Sequence, residues 1–344
     1  MTSGRPLADP DRWQRATPLS LVGGVRVAQV VYAVAELGIA DLLADGPADV
    51  EHLARSAGCD ARALGRLLRA AASVGVLREK EPGTYELAAP ANLLRSDVPD
   101  SQLAAVRYVG RFVAAAYVHV VDSVRTGSPV FDRAFGLPFY EYLDSDSDAN
   151  NLVYQDAHAR DWELATRCAE QLDLSRYRVI ADIGGGTGTF LAYLLDRAPH
   201  ARGILYDRPE ALPVGATFLA QKGVRDRVDL VGGDFFADRL PDADLYILKN
   251  TLHSLDDSAA IGVLKQAHEA MCANPGAQLL ICEHIVSPDS QWDDAKLIDI
   301  DMLLIHGGRE RTLGEWHDLA RAAGLRLGVT GGVLTCVCAV DAAP

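Results

Sequence analysis

A single histidine and a few acids stand where a polar side chain can act on a ligand. His253 lies just past an apolar run that reads as a strand, in Leu248-Lys249-Asn250-Thr251-Leu252-His253-Ser254-Leu255-Asp256-Asp257. Two acids are candidates to orient it: Glu283 in Ile281-Cys282-Glu283-His284, and Glu310 in His306-Gly307-Gly308-Arg309-Glu310-Arg311-Thr312. A carboxylate on one imidazole nitrogen fixes the tautomer and leaves the other nitrogen as a general base. An isolated histidine is more often a satisfied structural residue. The place of His253 past a strand end, on the same edge as a glycine loop, favours the functional reading.

That loop is Asp182-Ile183-Gly184-Gly185-Gly186-Thr187-Gly188-Thr189-Phe190, between the apolar Val179-Ile180-Ala181 and the helical Leu191-Ala192-Tyr193-Leu194-Leu195. Strand, glycine turn and helix aim backbone N–H groups and a helix N-terminus at a ligand. The spacing Gly184-x-Gly186-x-Gly188 is one residue shorter than the dinucleotide fingerprint, and no G-x-x-x-x-G-K-[ST] phosphate loop is present. A tight structural turn is the bland alternative. Two further acids weigh against it. Gly203-Ile204-Leu205-Tyr206-Asp207 reads as the next parallel strand, ending in an acid where ribose hydroxyls are held in nucleotide-binding folds. Val228-Asp229-Leu230-Val231-Gly232-Gly233-Asp234-Phe235-Phe236 ends in an acid beside two aromatics, suited to an adenine.

The elements that must hold these residues alternate strand and helix from Tyr177 onward, which means a parallel sheet. Strands are expected at 178–183, 202–207, 227–231, 243–249 and 277–283, and a helix near 312–323. Two last strands, Leu325–Thr330 and Val333–Val340, are joined only by Gly331-Gly332, which demands an antiparallel hairpin.

Ahead of the sheet, Pro18 to about Ile39 reads as a helix apolar on nearly every face, through Leu21, Val25, Ala28, Val30, Val31, Tyr32, Val34 and Ala35, and ended by Gly38. Such a helix has to be buried in a core or a subunit interface. A short helix from Asp49 follows, then a turn at Gly58. Asp60 N-caps a second helix carrying Leu64, Leu67, Leu68 and Ala71. Val76-Leu77-Arg78 and Thr84-Tyr85-Glu86-Leu87 then alternate around Glu81-Pro82-Gly83 as a hairpin. This is a winged-helix pattern, and Arg62, Arg66 and Arg69 share one face of the second helix as on a DNA-reading helix. A solvated face is the favoured reading, because Asp41, Asp45, Asp49, Glu51, Asp60, Glu79, Glu81 and Glu86 would repel phosphate.

Residues 100–165 read as further helices broken at Gly127-Ser128-Pro129 and Gly136-Leu137-Pro138, rich in aromatics from Tyr108 to Trp162. The run Asp144-Ser145-Asp146-Ser147-Asp148 is expected to be a solvated turn. The chain thus divides at 1–100, 101–165 and 166–344.

Composition narrows the classes. The 344 residues are 49% apolar and 23% charged, an ordinary globular balance, and the net charge of −14 argues against nucleic-acid or anionic-membrane partners. No stretch is expected to approach the roughly 18 uncharged apolar residues of a membrane span, and Met1–Pro6 lacks the apolar core of a signal peptide. Cys59, Cys168, Cys272, Cys282, Cys336 and Cys338 show no zinc spacing and suit reduced thiols in a cytoplasm. Cys336 and Cys338 are expected to face one side of a strand. No metal is expected; Asp256-Asp257 and Asp293-Asp294 read as helix-start acids or surface.

The glycine turn, Asp207 and Asp234-Phe235 together resemble the class I S-adenosylmethionine-dependent methyltransferases, whose sheet is parallel and closed by one antiparallel hairpin. With His253, Glu283 and Glu310 the resemblance narrows to small-molecule O-methyltransferases of the plant phenolic and bacterial polyketide type, and it covers essentially the whole chain. It implies an α/β fold with a Rossmann-like seven-stranded sheet behind an α-helical winged-helix domain that dimerises and does not bind DNA. It implies S-adenosyl-L-methionine as cofactor, bound by Asp182, by Gly184, Gly185 and Gly186 at the methionine moiety, by Asp207 at the ribose, by Asp234 and Phe235 at the adenine, and with Lys249 close by. His253 resembles the catalytic base, with Glu283 and Glu310 as flanking acids. The partners implied are a flat aromatic acceptor and a second copy of the chain, with neither nucleic acid nor membrane.

One departure stands out: the family commonly has Asp-Trp after the histidine, whereas this chain has Ser254-Leu255. Some relatives methylate nitrogen or carbon, or have left methyl transfer. The presence of His253 and both acids favours transfer to a hydroxyl of an aromatic or polyketide-type molecule, as in antibiotic biosynthesis. The acceptor is expected between the helical region and the segment Asp299–His306.

Overall fold

The computed structural model describes residues 17–98, 100–156, 172–329 and 335–342, with 329 and 335–342 as backbone only. Residues 1–16, Trp162, Cys168, the Gly331-Gly332 link and the side chains of Cys336 and Cys338 lie outside the described residues. Two compact units divide the chain, Met1–Ala115 with Gln155–Ala159, and Ala116–Tyr154 with Arg160–Pro344.

In the first unit, helix α1 (Pro18–Glu36) starts under a cap in which Thr17 Oγ1 accepts from Ser20 N at 3.3 Å. It stops ahead of Gly38, whose φ of 64° is left-handed. Of its residues only Val34 and Ala35 are buried, while Leu19, Val22 and Val25 are 80%, 68% and 65% exposed. Among the described residues the apolar face expected to be covered is therefore left exposed. By length and composition alone α1 is also long and apolar enough to cross a membrane, with a mean hydropathy of 1.4, which corrects the expectation that no stretch approaches a span. Arg26 interrupts the run by charge, yet one arginine among so many valines and alanines hardly lowers the average.

Helices α2 (Val50–Ala57) and α3 (Ala61–Ser73) are capped by Asp49 and Asp60, which accept from His52 N at 2.7 Å and Ala63 N at 2.8 Å. Their apolar faces meet in a core of Leu53, Leu64, Leu68, Ala71, Leu77 and Tyr85. Strands β2 (Leu77–Glu81) and β3 (Thr84–Leu87) form the expected hairpin, and a two-residue β1 (Ala48–Asp49) adds a third strand on β3. Two residues are too few to show an alternating pattern in the sequence. Arg62, Arg66 and Arg69 are exposed.

The second unit opens with α4 (Val120–Thr126), α5 (Phe131–Phe135) and α6 (Phe139–Ser145), the first two ended by left-handed Gly127 and Gly136. Its sheet comprises β4 (Val179–Ile183), β5 (Arg202–Asp207), β6 (Val228–Gly232), β7 (Leu245–Lys249), β8 (Gln278–His284), β9 (Leu325–Val329) and β10 (Thr335–Ala342). Their order is β6-β5-β4-β7-β8-β10-β9, parallel through β8, with β10 antiparallel to both β8 and β9. Each expected strand is found within two residues of its bounds, and the last two strands pair antiparallel as expected.

Helices α7 (Thr189–Arg197), α8 (Leu212–Gln221), α9 (Asp257–Ala273), α10 (Asp294–Ile305) and α11 (Leu313–Ala322) complete the unit. The strands bury both faces, one against Leu191, Leu195 and Leu219, the other against Leu264, Trp316 and Leu319. That is why β4 and β7 are nearly continuous apolar runs. Strand order reverses between β5-β4 and β4-β7, so the carboxyl ends of these strands open on the crevice where such folds take ligands.

Candidate active site

Strand β7 delivers the histidine. After Lys249 the chain turns at Asn250, left-handed at φ 49°, a conformation asparagine tolerates, and a single 3-10 turn over Leu252–Ser254 presents His253. The turn is held from β8: Glu283, fully buried, accepts through Oε1 from Thr251 N at 2.9 Å and Leu252 N at 2.7 Å. Its other oxygen lies 3.7 Å from His253 Nδ1. Glu310 comes from the loop before α11 and places Oε1 at 2.7 Å from the same Nδ1. The backbone N–H of Glu310 is fixed in turn by Asp299 Oδ1 at 2.7 Å. Both sequence-nominated acids therefore reach one imidazole nitrogen.

A proton on Nδ1, donated to Glu310, leaves Nε2 as the acceptor of a second proton. Burial raises the Glu283 carboxyl, opposed by charge on His253 and reinforced by Glu310. Burial likewise pushes Glu310 up to about 7, opposed by His284 and reinforced by Asp299. His253, Glu283 and Glu310 form one compact group. Its three ligand-type atoms lie within 4.8 Å of one another, close enough to hold a metal ion. The adjacent acids considered for that role are engaged otherwise. Asp256 caps α9 by accepting from Ala259 N at 2.8 Å, and Asp293 accepts from Ala295 N at 3.0 Å and Ser287 N at 2.8 Å.

The glycine loop lies against this turn. Gly184, Gly186 and Gly188 have φ of 69°, 56° and 70°, which other residues rarely adopt. At Gly185 an added Cβ would sit 2.6 Å from the carboxyl carbon of buried Asp182 and as near to Leu205. Asp207 ties the loop to β5: it accepts from Gly186 N and from Arg208 N, both at 2.7 Å. Each carboxylate oxygen keeps acceptor capacity toward the crevice. Burial raises the Asp207 carboxyl and these two N–H groups oppose the rise.

Phe235 reaches within 3.7 Å of the Cβ position at Gly184, and Thr251, two residues before His253, approaches that position to 3.2 Å. The histidine turn and the glycine loop are thus in contact. Lys249 is buried at the end of β7. Asp234 is exposed and engaged in its own turn, accepting from Phe236 N at 2.8 Å. A cradle that no side chain can enter, a half-buried acid with spare lone pairs and a neighbouring ring fit an adenosyl sulfonium cofactor.

Aromatic rings gather beside the base. Phe139 and Tyr140 on α6 pack on His306 with centroids at 4.6 and 5.4 Å. Burial and the charge of His253 lower His306 to about 3, so it stands there as a neutral imidazole. Ser254 Oγ donates to Thr251 O at 2.8 Å. Tyr154 comes within 3.2 Å of the Cβ position at Gly186. Arg208 bridges Asp144 at 2.8 Å and lies 5.1 Å over the Tyr140 ring, so Asp144 is paired, where the acidic run was expected to be only solvated. Asp146 accepts from Asp148 N and Ala149 N, each at 3.0 Å. Sequence reasoning singled out neither Thr251, Arg208 nor Arg311, whose contacts come from distant segments. The one local signal was Gly308, where an added Cβ would fall 2.1 Å from His253 O.

Comparison with known proteins gives two family matches. Residues 117–326 match the family described as the O-methyltransferase domain, and residues 19–97 the O-methyltransferase dimerisation domain. The chain is 37% identical over 309 residues to the phenazine O-methyltransferase PhzM of Lysobacter antibioticus, covering 90% of each. It is also 37% identical over 310 residues to the 8-amino-8-demethylriboflavin N,N-dimethyltransferase of Streptomyces davaonensis, covering 87% of each. Among solved structures, an O-methyltransferase from neocarzinostatin biosynthesis, in complex with S-adenosyl-L-homocysteine and 1,4-dihydroxy-2-naphthoic acid, superposes with a TM-score of 0.81 at 28% identity, over 92% of this chain and 96% of that one.

Proposed function

The chain belongs to the O-methyltransferase family and is an S-adenosyl-L-methionine-dependent enzyme; on that premise we propose that it methylates a hydroxyl of an aromatic or polyketide-type small molecule with His253 as the base. The observation that carries this reading is the contact of the His253 turn with the glycine loop through Thr251 and Gly184.

The bound cofactor supplies a methyl group already activated on sulfur. Gly184, Gly185, Gly186, Asp182 and Asp207 hold and orient it, Asp234 and Phe235 meet its adenine, and Lys249 lies near. Phe139, Tyr140 and His306 hold the flat acceptor so that its oxygen lines up with the methyl and lies at His253 Nε2. His253 takes the hydroxyl proton, while Glu310, 2.7 Å from Nδ1, and Glu283 balance the charge that the ring gains.

In the same reading, residues 1–100 form a winged-helix-like dimerisation domain, 101–165 contribute to the acceptor pocket and 166–344 are catalytic. A second copy covers the exposed Leu19, Val22 and Val25 of α1, in keeping with the dimerisation-domain match. Neither nucleic acid nor a membrane is a partner in this reading. Cys59, Cys272 and Cys282 are free thiols, suited to the cytoplasm. The relatives named for phenazine and neocarzinostatin point to antibiotic biosynthesis.

N-methylation is the second reading, favoured by the riboflavin-type dimethyltransferase at 37% identity. Incubation with S-adenosylmethionine and paired panels of phenols and anilines, read by mass spectrometry, separates the two. Products methylated on oxygen support the proposal, and turnover of anilines alone would overturn it.

A further inference from the structure

Arg311 is fully buried, and four of its five N–H donors are hydrogen-bonded. Nε donates to Asp257 Oδ1 at 2.9 Å, and one terminal nitrogen donates to Leu252 O at 3.0 Å and Arg309 O at 3.2 Å. The other donates to Leu255 O at 2.8 Å and lies 2.9 Å from Asp257 Oδ1. Leu252 and Leu255 bracket His253 in sequence, so one rigid guanidinium grips the base's turn on both sides. The same residue follows Glu310 in the chain. Arg309 N donates to His253 O at 2.8 Å, and Gly308 packs against that carbonyl. Asp257, at the start of α9, anchors the cation.

We propose that Arg311 is a positioning residue for catalysis: it fixes the turn that carries His253 against the loop that carries Glu310, and so sets the base's geometry. This rests on the reading of His253 as the base. The physical reason is the planar fork. Lysine offers a point charge with three donors and cannot span three carbonyls and a carboxylate together. A displacement of about 1 Å at a reacting group costs about 100-fold in rate.

The test is Arg311→Lys, assayed with a weakly acidic phenol and with an acceptor already ionised at the assay pH. On the weakly acidic acceptor kcat should fall about 10- to 100-fold while the KM for S-adenosylmethionine stays within about twofold. On the ionised acceptor, which needs no base, the loss should shrink to within about threefold. In a His253→Ala background Arg311→Lys should cause no further loss. Equal loss on both acceptors, or added loss in the His253→Ala background, would show a role outside the base and overturn the proposal. Should Arg311→Lys fail to fold by circular dichroism, Asp257→Asn loosens the same clamp from a half-exposed position. It should reproduce the acceptor-dependent pattern, and an acceptor-independent loss or no loss would refute it. Full turnover by His253→Ala alone on the weak acid would instead remove the base reading, and this proposal with it.

Discussion

Removing the imidazole at His253 separates base catalysis from alignment alone. The ring is mostly enclosed, with its side chain 14% exposed, and its Nδ1 is committed to Glu310 at 2.7 Å, so the nitrogen left for chemistry is Nε2. General-base assistance is worth about 10²–10⁴ in rate, which at about 1.4 kcal/mol per tenfold is roughly 3–5 kcal/mol of barrier. His253→Ala should lower kcat by that factor on an acceptor with a pKa of about 9–10, near that of tyrosine. Cofactor affinity should hardly move, because the contact between turn and loop runs through Thr251. The deletion also leaves the buried Glu283 and Glu310 facing each other without the ring, and both should then retain protons to higher pH. Calorimetric titration with S-adenosylhomocysteine and circular dichroism verify that the site is intact, and a steady-state assay of S-adenosylhomocysteine release gives kcat. An acceptor ionised near neutral pH should lose far less. If the variant kept near-normal turnover on the weakly acidic acceptor, the base assignment would be wrong and alignment would have to carry the rate.

Four further outcomes follow from particular contacts. Asp207→Ala should weaken S-adenosylmethionine binding by about 1.5–3 kcal/mol, the worth of a charge-assisted hydrogen bond, and unchanged affinity in the folded variant would sink the ribose assignment. Glu310 is raised from 4.5 to about 7 by burial, so the folded state holds its proton more tightly; its contribution is full below about pH 4.5 and is lost as pH rises to about 7. Relative to wild type, Glu310→Gln should therefore gain up to about 3 kcal/mol in urea unfolding between those limits and level off above them, and a flat difference would contradict the burial argument. Light scattering at micromolar concentration should give twice the chain mass, and Val22→Asp with Val25→Asp should shift it to one; a monomeric wild type would leave α1's apolar face unexplained. Chelator treatment should leave activity unchanged, and loss restored by a divalent ion would make the His253, Glu283 and Glu310 cluster a metal site.

How much of this was legible depends on the range over which each residue's constraint acts. The glycine loop could be read because its demand is local: three left-handed positions and one close approach have to be glycine wherever the strand leads into the helix. The strands could be read because burial on both faces writes continuous apolar runs. His253, Glu283 and Glu310 were each visible as polar residues at strand ends or loop starts. Glu283 meets the histidine because β7 and β8 are neighbours, and Glu310 because the loop before α11 bonds to the histidine turn through Arg309 N and His253 O. Asp144 misled because a run of acids looks the same whether or not an arginine 64 residues away faces one of them. Arg311 left no trace for the same reason, since its acceptors are main-chain carbonyls, which any residue supplies, and the carboxylate of Asp257, 54 residues away. The helix α1 shows the opposite case: its composition demands a covered face, yet among the described residues Leu19, Val22 and Val25 stand exposed. A local rule can state that a surface needs a partner without saying which molecule provides it, so the positions where sequence and fold disagree mark where the next contact has to be sought.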